Sequence, residues 1–299
     1  MDGMIPVWKE RGMTSHDVVS KLRRILHEKK IGHTGTLDPT VDGVLVCCVG
    51  QGTKLVELLT DKQKQYIGTI TFGFQTDTED SAGQVVATQP LDQPFSNDTI
   101  QAAMRTLEGD IVQIPPMYSA VKVKGKRLYE YARANETVER PKRMIHVDQF
   151  ELTSSPTFDP DAGQQTFHFL VTCGKGTYVR TLATDLGIKL GTLATMTELT
   201  RIQSSPYRAA DCLTLDDIQT HYEAGDMSFL KPLESALANY PIWHVPKHLV
   251  SLVQNGAVLH REQLPTELPV RAYVNGQLKA LYDVHPKLAS EVKPMRMFQ

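Results

Sequence analysis

The segment from Gly32 to Leu45 constrains the chain more than any other, because it places a carboxylate between a glycine-rich turn and a proline. That carboxylate is Asp38, the proline is Pro39, and an apolar run from Val44 to Val49 follows. Proline fixes its own φ and keeps the preceding residue out of the helical region. We therefore predict an aspartate on a rigid, irregular loop at the mouth of a buried strand, where loops often carry chemistry. A simple turn with a capping aspartate would show the same pattern.

Length and composition indicate an ordinary globular protein. The chain has 299 residues, of which 41% are hydrophobic and 22% charged, enough for one large domain and a small one. It has no run of about 18 apolar residues and no basic-then-apolar leader, so we expect a cytoplasmic protein with no membrane contact. The cysteines form no C-x-x-C pair, and we expect them to be reduced and mostly buried: Cys47, Cys48, Cys173 and Cys212.

Positive charge is concentrated in two segments, although the formal net charge is only -2. Lys9–Lys30 holds seven basic and three acidic residues, and Lys122–Arg143 holds eight and three. Two such segments on a nearly neutral protein favour one cationic face that contacts phosphates. A solvated helix face is the alternative explanation. If the segments do form a cationic face for phosphates, the candidate substrate-binding residues are Lys122, Lys124, Lys126 and Arg127.

The order of the expected elements indicates the α+β class. Strands and helices are mixed without a regular βαβ cadence, which argues against a doubly wound parallel sheet. The main expected elements are a helix capped by Ser15, strands at Val44–Val49, Tyr66–Phe74, Met117–Val123 and Phe167–Cys173, and helices at Leu128–Ala134 and Thr181–Leu190. After Pro241, short apolar stretches such as Leu249–Val253 alternate with Gly and Pro and predict a small β-rich module. The predicted domains are therefore 1–240 and 241–299.

Four motifs, in one order along the chain, resemble those of the bacterial TruB-type tRNA pseudouridine synthases. The first is His33-x-Gly35-Thr36-Leu37-Asp38-Pro39. The second is Lys64-Gln65-Tyr66-Ile67-Gly68, continued by Thr76-Asp77-Thr78-x-Asp80. The third runs from Gln113 through Pro115-Pro116-x-Tyr118-Ser119 to Arg133, and the fourth is Gly174-x-Gly176-Thr177-Tyr178-Val179-Arg180.

This resemblance implies a fold and an activity. The expected fold is a large mixed, mainly antiparallel sheet with the active cleft across it, followed by a PUA-like RNA-binding module. The family extrudes one uridine from the T-loop of tRNA, at tRNA position 55, and isomerises it to pseudouridine. An isomerisation adds and removes no group, so we expect neither a cofactor nor a metal. The expected partner is tRNA, bound by a monomer with no obligatory protein partner.

The resemblance also assigns roles to five residues. Asp38 matches the essential aspartate, which attacks the sugar or the base or stabilises a sugar intermediate; the sequence leaves these routes open. Arg180 matches an arginine that would keep Asp38 ionised and oriented. Tyr66 matches a tyrosine that could stack on the uracil and relay a proton. Leu199 matches an apolar residue of the base pocket. His33 matches a histidine that takes the place of the extruded base and stacks on the neighbouring bases.

Each of these residues also has a simpler explanation when taken alone. Arg180 would suit a surface ion pair, Tyr66 and Leu199 would suit the core, and His33 would suit a hydrogen bond within its own loop. The main alternative function is an RNA-binding or RNA-folding protein that keeps the same scaffold without catalysis. The presence of the aspartate together with Tyr66 and Arg180 favours the enzyme.

Overall fold

The structure, a computed structural model that describes residues 1–298, is built on two separate main sheets. The larger sheet has ten strands and the smaller has five, and two short hairpins lie outside them. The strands before residue 241 are β1 (Gly3–Lys9), β2 (Ile31–His33), β3 (Asp42–Val49), β4 (Lys64–Phe72), β5 (Phe74–Thr76), β6 (Val85–Thr88), β7 (Gly109–Gln113), β8 (Lys122–Val123), β9 (Lys126–Arg127), β10 (Arg143–Leu152), β11 (Thr157–Asp159), β12 (Gln164–Cys173), β13 (Ala194–Ser204) and β14 (Tyr207–Arg208).

The larger sheet is mixed and mainly antiparallel, which confirms the expected α+β class. Its strand order is β1-β3-β13-β4-β12-β10-β7, with β2, β11 and β14 attached at its side. Along this order only β3 and β13 run parallel. Gly43 faces Arg201 at this junction, and a Cβ on Gly43 would lie 2.2 Å from the Arg201 carbonyl oxygen. Glycine therefore lets the strand that follows the Asp38 loop pack directly against β13.

The helices are short and most of them precede or follow strands of the larger sheet. They are α1 (Ser15–Ile25), α2 (Val56–Thr60), α3 (Asn97–Arg105), α4 (Leu128–Arg133), α5 (Val179–Leu190), α6 (Leu215–Glu223), α7 (Leu233–Ala236) and α8 (Val250–Gln254). The predicted cap of α1 is wrong by one residue: Thr14 accepts the Asp17 N–H at 3.1 Å and the Asp17 carboxylate accepts the Thr14 N–H at 2.8 Å. Among the described residues, no helix is long and apolar enough to cross a membrane.

Strand β3 is buried on both faces, which explains its unbroken apolar sequence. Leu45, Cys47 and Val49 belong to the core beneath α1, α5 and α6, whereas Val44 and Val46 belong to a second core on the opposite face. Three of the four cysteines are buried and the fourth is partly buried, all as free thiols: Cys47, Cys48, Cys173 and Cys212.

The C-terminal sheet confirms the expected β-rich module. Its strands are β15 (Ile242–His244), β16 (Leu259–His260), β17 (Val270–Val274), β18 (Gln277–Val284) and β19 (Glu291–Met297), in the order β15-β17-β18-β19-β16. The apolar stretch Leu249–Val253 lies in a helical segment that includes α8 and packs its buried side chains against the sheet. Leu278, Leu281 and Phe298 join the second core under β3, so the module packs on the larger sheet.

The predicted strand Met117–Val123 is wrong over most of its length. Pro115 and Pro116 precede it and cannot donate hydrogen bonds to a ladder, and the Ser119 N–H donates to the Met117 carbonyl at 3.0 Å in a turn. Only β8 forms, paired with β9 in a hairpin. Lys124 and Gly125 make its turn with φ values of 50° and 85°, the positive angles that a two-residue hairpin loop requires.

Candidate active site

A cavity of about 310 Å³ lies where the Asp38 loop, β4 and β13 meet the start of α5. Four of the five residues assigned roles by the sequence line it: Asp38, Tyr66, Arg180 and Leu199. These residues are up to 161 positions apart, so the fold rather than local sequence brings them together. The remaining lining includes Val41, Thr60, Lys64, Ser119, Lys175, Thr177, Met196 and Arg201.

Asp38 and Arg180 form an ion pair in this cavity. The Asp38 Oδ2 atom lies 2.9 Å from Arg180 Nη2, and Asp80 Oδ2 lies 3.4 Å from Nη1. Arg180 also donates to the carbonyl oxygens of Tyr118 at 2.9 Å and Thr78 at 3.1 Å. The guanidinium is therefore fixed from several sides, whereas the Asp38 side chain keeps 43% of its surface exposed. A carboxylate is thus presented to the cavity by a rigid, buried cation.

The loop that carries Asp38 is tied to the rest of the domain at several points. The Leu37 N–H donates to Ser15 Oγ at 2.8 Å, which anchors the residue next to Asp38 to the start of α1. Arg201 Nη2 donates to the Gly35 carbonyl at 3.1 Å, and the Val41 N–H donates to the Asp38 carbonyl at 3.0 Å. These bonds give the rigid, irregular loop that Pro39 and Gly35 predict.

The turn that carries Asp80 is braced against α5. Glu79 adopts a positive φ of 65°, which is uncommon outside glycine, and its carboxylate accepts the Thr181 hydroxyl at 2.6 Å. Thr181 is the neighbour of Arg180 on α5, so this contact joins the turn of Asp80 to the helix that carries the guanidinium. Burial raises the pKa of Glu79 above its ordinary value, and the Thr181 hydrogen bond partly opposes that rise.

Tyr66 and Leu199 form an apolar wall of the cavity from neighbouring strands. Residue Gly68 of β4 pairs with Leu199 of β13, and Tyr66 lies two positions away on the same face. Both side chains are buried. Burial raises the pKa of Tyr66, partly offset by the Arg201 charge, so the hydroxyl remains protonated at neutral pH.

Two buried cations of the cavity received no role from the sequence. Arg201 is almost fully buried and donates from Nε to the Val44 carbonyl at 2.7 Å. Lys64 donates from Nζ to the Lys62 carbonyl at 2.7 Å, and burial lowers its pKa to about 8. The sequence did hold a signal for these two residues, because residues two positions apart on a strand point to the same face. Lys64 therefore shares a face with Tyr66, and Arg201 shares one with Leu199.

Ser119 offers a polar group to the cavity. Its hydroxyl oxygen is buried and has no hydrogen-bond partner among residues 1–298. Buried polar atoms normally have partners, so this hydroxyl is available to a bound molecule.

His33 is the assigned residue that does not line the cavity. It lies at the end of β2, half-buried, and its Nδ1 accepts the Gly35 N–H at 3.3 Å. Burial, together with the nearby Arg201 charge, lowers the pKa of His33, so the ring is neutral at pH 7. The contact with Gly35 is the hydrogen bond within the loop that the simpler explanation of this histidine anticipated.

The second basic segment presents cations and aromatic rings together. Lys122, Lys124 and Arg127 are exposed on the β8–β9 hairpin, and Lys126 is half-exposed. Lys126 Nζ lies 2.8 Å from Glu136 and 4.7 Å from the centre of the Tyr131 ring. The guanidinium groups of Arg127 and Arg133 lie 5.8 Å and 5.3 Å from the centre of the Tyr129 ring. Cations beside aromatic faces suit a polyanion with stacking bases.

One lysine of the first basic segment does not reach the surface, whereas the other six basic residues of this segment are exposed. Lys9 is fully buried, and its ammonium group donates to the carbonyls of Met13 at 2.7 Å and Glu10 at 3.0 Å. Burial lowers the pKa of Lys9. Lys9 therefore contributes to the start of α1 and not to a cationic surface.

Family models match most of the chain. The TruB family pseudouridylate synthase N-terminal domain matches residues 23–179, and the tRNA pseudouridylate synthase B C-terminal domain matches residues 180–238. The first model contains Asp38 and Tyr66, and the boundary between the two models falls immediately before Arg180. The cavity is therefore assembled from both matched regions.

Known proteins agree with these matches. A tRNA pseudouridine synthase B of Pediococcus pentosaceus is 50% identical, with 94% of each chain covered, and one of Levilactobacillus brevis is 48% identical over 100% of this chain and 99% of its own. A solved Cbf5-Nop10-Gar1 complex contains a chain that is 27% identical with a TM-score of 0.69, covering 99% of this chain and 83% of that one. The chain therefore belongs to the TruB family of pseudouridylate synthases.

Proposed function

We propose that this enzyme converts the uridine at position 55, in the T-loop of tRNA, into pseudouridine, with Asp38 as its catalytic carboxylate. The observation that carries the proposal is the partly exposed Asp38 carboxylate, held 2.9 Å from buried Arg180 in a cavity with an apolar wall. The names of the relatives, which are tRNA pseudouridine synthases B, support tRNA as the substrate.

The proposed reaction moves one glycosidic bond. The bond from the sugar C1′ to the uracil N1 breaks, the base turns, and a bond from C1′ to C5 forms. The proton on C5 leaves and N1 gains a proton, so atoms and electrons balance without a further reactant. The groups required are a carboxylate at the sugar, a surface on which the base can turn, and an acid or base for the proton exchange.

Asp38 is proposed to act at the sugar or the base. Its exposed oxygen can form a covalent bond with the substrate or stabilise a sugar intermediate, and both routes need the ionised carboxylate. Arg180 is proposed to hold that carboxylate in position, because it contacts Asp38 directly and is itself fixed by Asp80 and two carbonyl oxygens. The guanidinium remains charged throughout the reaction.

Tyr66 and Leu199 are proposed to hold the uracil. A flat aromatic ring and an apolar side chain on adjacent strands give a surface on which a base can stack and then turn. The protonated hydroxyl of Tyr66 can exchange a proton late in the reaction. The Ser119 hydroxyl is free to bond a polar edge of the base.

Binding of the folded RNA is proposed to use groups outside the cavity. His33 would stack on the bases beside the extruded uridine with the face of its ring, while its Nδ1 can keep the Gly35 N–H. The hairpin residues Lys122, Lys124, Lys126 and Arg127 would contact phosphates. We propose the domain division 1–240 and 241–299, with the second unit as an RNA-binding module, and a cytoplasmic monomer that needs no protein partner.

The proposal is tested by release of tritium from tRNA labelled at C5 of uridine. Formation of the C1′–C5 bond must release that label, whereas binding or refolding of RNA releases none. A matched tRNA with cytidine at position 55 is the control for the site. Release from the first tRNA and none from the second would support the proposal. Tight binding without release would favour the alternative of a non-catalytic RNA-binding protein.

A further inference from the structure

Four cationic side chains line the cavity within residues 1–298, and they differ in availability. Lys64, Arg180 and Arg201 are buried and already donate to carbonyl or carboxylate oxygens. Lys175, in contrast, keeps 62% of its side chain exposed. Lys175 is therefore the lining cation that can move toward a ligand without uncovering a buried charge.

Lys175 forms an ion pair at the edge of the cavity. Its Nζ lies 2.8 Å from Asp61 Oδ1, and the Asp61 side chain is 50% exposed. Lys175 follows β12 and precedes α5, whereas Asp61 follows α2 and precedes β4. The neighbouring residue Thr60 lines the same cavity. Cys173 at the end of β12 pairs with Lys64 at the start of β4, so the ion pair joins two segments that extend the neighbouring ends of these strands.

The pair is easily exchanged for another partner. Exposed ion pairs between flexible side chains contribute little to stability, because water screens the charges. Gly174 and Gly176 flank Lys175, and a Cβ placed on Gly176 would meet no atom within 4 Å. Lys175 therefore stands on an open, unobstructed stretch of chain at the edge of the cavity.

We infer that Lys175 binds a backbone phosphate of the extruded nucleotide, and that Asp61 holds this lysine until RNA replaces it. This inference rests on the proposed function. A base that enters the cavity stays attached to its strand, so its two phosphodiesters remain at the rim, where Lys175 is the exposed cation. A phosphate oxygen offers the ammonium group the same kind of charged acceptor as the Asp61 carboxylate.

Asp61 has a separate effect under this inference. In free enzyme it neutralises Lys175, and during binding its carboxylate repels the arriving phosphate. Removing its charge should therefore strengthen RNA binding, although the ion pair is lost. A purely structural ion pair predicts the opposite, namely that loss of either partner weakens the site in the same direction.

The test uses Lys175→Gln, Asp61→Asn and the double variant of the full chain, with an unmodified T-loop tRNA as probe. Affinity is measured at several salt concentrations, and a single-turnover rate is measured at saturating tRNA. Lys189→Gln, on the exposed end of α5, is the matched control for loss of one positive charge. Thermal denaturation of each variant checks that the fold is retained.

We expect Lys175→Gln to weaken binding about fivefold at 0.1 M salt and to reduce the salt slope by roughly 0.7 to 0.9, the value for one phosphate contact. Asp61→Asn should tighten binding about twofold or more, and the double variant should bind more tightly than Lys175→Gln but less tightly than Asp61→Asn, since loss of the Asp61 charge still removes its repulsion of the phosphate. Lys189→Gln should have a smaller effect than Lys175→Gln on both quantities.

Two results would overturn the inference. One is an unchanged salt slope in Lys175→Gln, and the other is weaker binding by Asp61→Asn with the fold intact. Either result, obtained with wild-type enzyme that makes pseudouridine, leaves the proposed function standing. If wild-type enzyme released no tritium, the proposed function itself would fail, whatever Lys175 does.

Discussion

Asp38 meets Arg180 at 2.9 Å, yet the side chain of the aspartate is 43% exposed and that of the arginine only 7%. The arginine has a second carboxylate, Asp80, on its inner side at 3.4 Å. Asp38 can therefore shift toward a substrate while the buried guanidinium keeps a negative partner. Without Asp80, the same movement would leave an unpaired buried charge, which is costly.

Replacing Asp38 with Asn should abolish turnover and leave tRNA binding largely intact. The amide keeps the size of the side chain but loses the charge that either proposed route needs. We expect less than roughly one per cent of the wild-type single-turnover rate, which corresponds to about 2.7 kcal/mol of barrier. Binding of tRNA to the same variant is the control, and a rate above that threshold would exclude Asp38 as the catalytic carboxylate.

Arg180→Lys should slow the chemical step far more than it weakens binding. Lysine keeps one positive charge but cannot reach Asp38, Asp80 and the carbonyls of Tyr118 and Thr78 at the same time. We expect the single-turnover rate to fall about 100-fold, as for other losses of positioning near a reacting centre. The melting temperature of the variant shows whether the fold is retained. A near wild-type rate in a folded variant would remove Arg180 from the site.

Tyr66→Phe separates the ring of this residue from its hydroxyl. Phenylalanine keeps the flat surface beside Leu199, so tRNA affinity should change little. If the hydroxyl exchanges a proton during the reaction, the single-turnover rate should fall by about 100-fold. The comparison variant Tyr66→Leu removes the ring as well and should also weaken retention of the base. Equal rates for wild type and Tyr66→Phe would limit this residue to stacking.

Local sequence patterns predicted the helices and strands better than the long-range contacts between them. The apolar run of β3 and the helices α4 and α5 follow from patterns a few residues long, and all are present. The Asp38 loop was predicted to be rigid for a local reason, Pro39. Its tie to Arg201, however, spans 166 residues, and no local pattern indicates such a contact.

The remaining errors have physical causes of the same kind. Leu249–Val253 is apolar enough for a strand, but packing against the C-terminal sheet favours a helical segment. The charge of Lys9 indicated a surface, whereas carbonyl acceptors around Met13 hold it inside the protein. The predicted module 241–299 stays a prediction as a domain, and it packs on the larger sheet, since Leu281 and Phe298 lie in one core with residues of β3. Removing 241–299 would therefore expose apolar surface of the larger domain.

Asp185 should make the protein less stable as the pH rises through the acidic range. Burial, with a contribution from the Glu79 charge, raises the pKa of Asp185 to about 6 from its ordinary value of 3.8. The folded state therefore binds a proton that the unfolded state releases, and the free energy of unfolding falls between about pH 4 and pH 6. Asp185→Asn removes this loss.

The variant should be more stable than wild type at pH 8 and close to it at pH 4. Because Asp185 is partly exposed, water screens its charge, and we expect a gain of about 1 kcal/mol at pH 8. Chemical denaturation of both proteins at the two pH values measures the difference. The same gain at both pH values would show that the charge of Asp185 is not its cause.

Neutralising the β8–β9 hairpin should weaken tRNA binding and flatten its salt dependence. The fourfold change Lys122→Gln, Lys124→Gln, Lys126→Gln and Arg127→Gln removes cations that lie outside the cavity lining. Each lost phosphate contact should reduce the slope of log affinity against log salt by roughly 0.7 to 0.9. The exposed side chains Lys122, Lys124 and Arg127 should account for most of this, since Lys126 already pairs with Glu136.

The rate at saturating tRNA distinguishes a binding role of the hairpin from a catalytic one. Phosphate contacts position RNA without reading its sequence, so the single-turnover rate should stay within about twofold of wild type once binding is saturated. The matched control removes the charge of Glu136 alone, by Glu136→Gln, which frees Lys126 and should strengthen binding slightly. An unchanged salt slope in the fourfold variant would show that the hairpin does not contact phosphates. A large loss of rate at saturation would instead place the hairpin in the assembly of the active site.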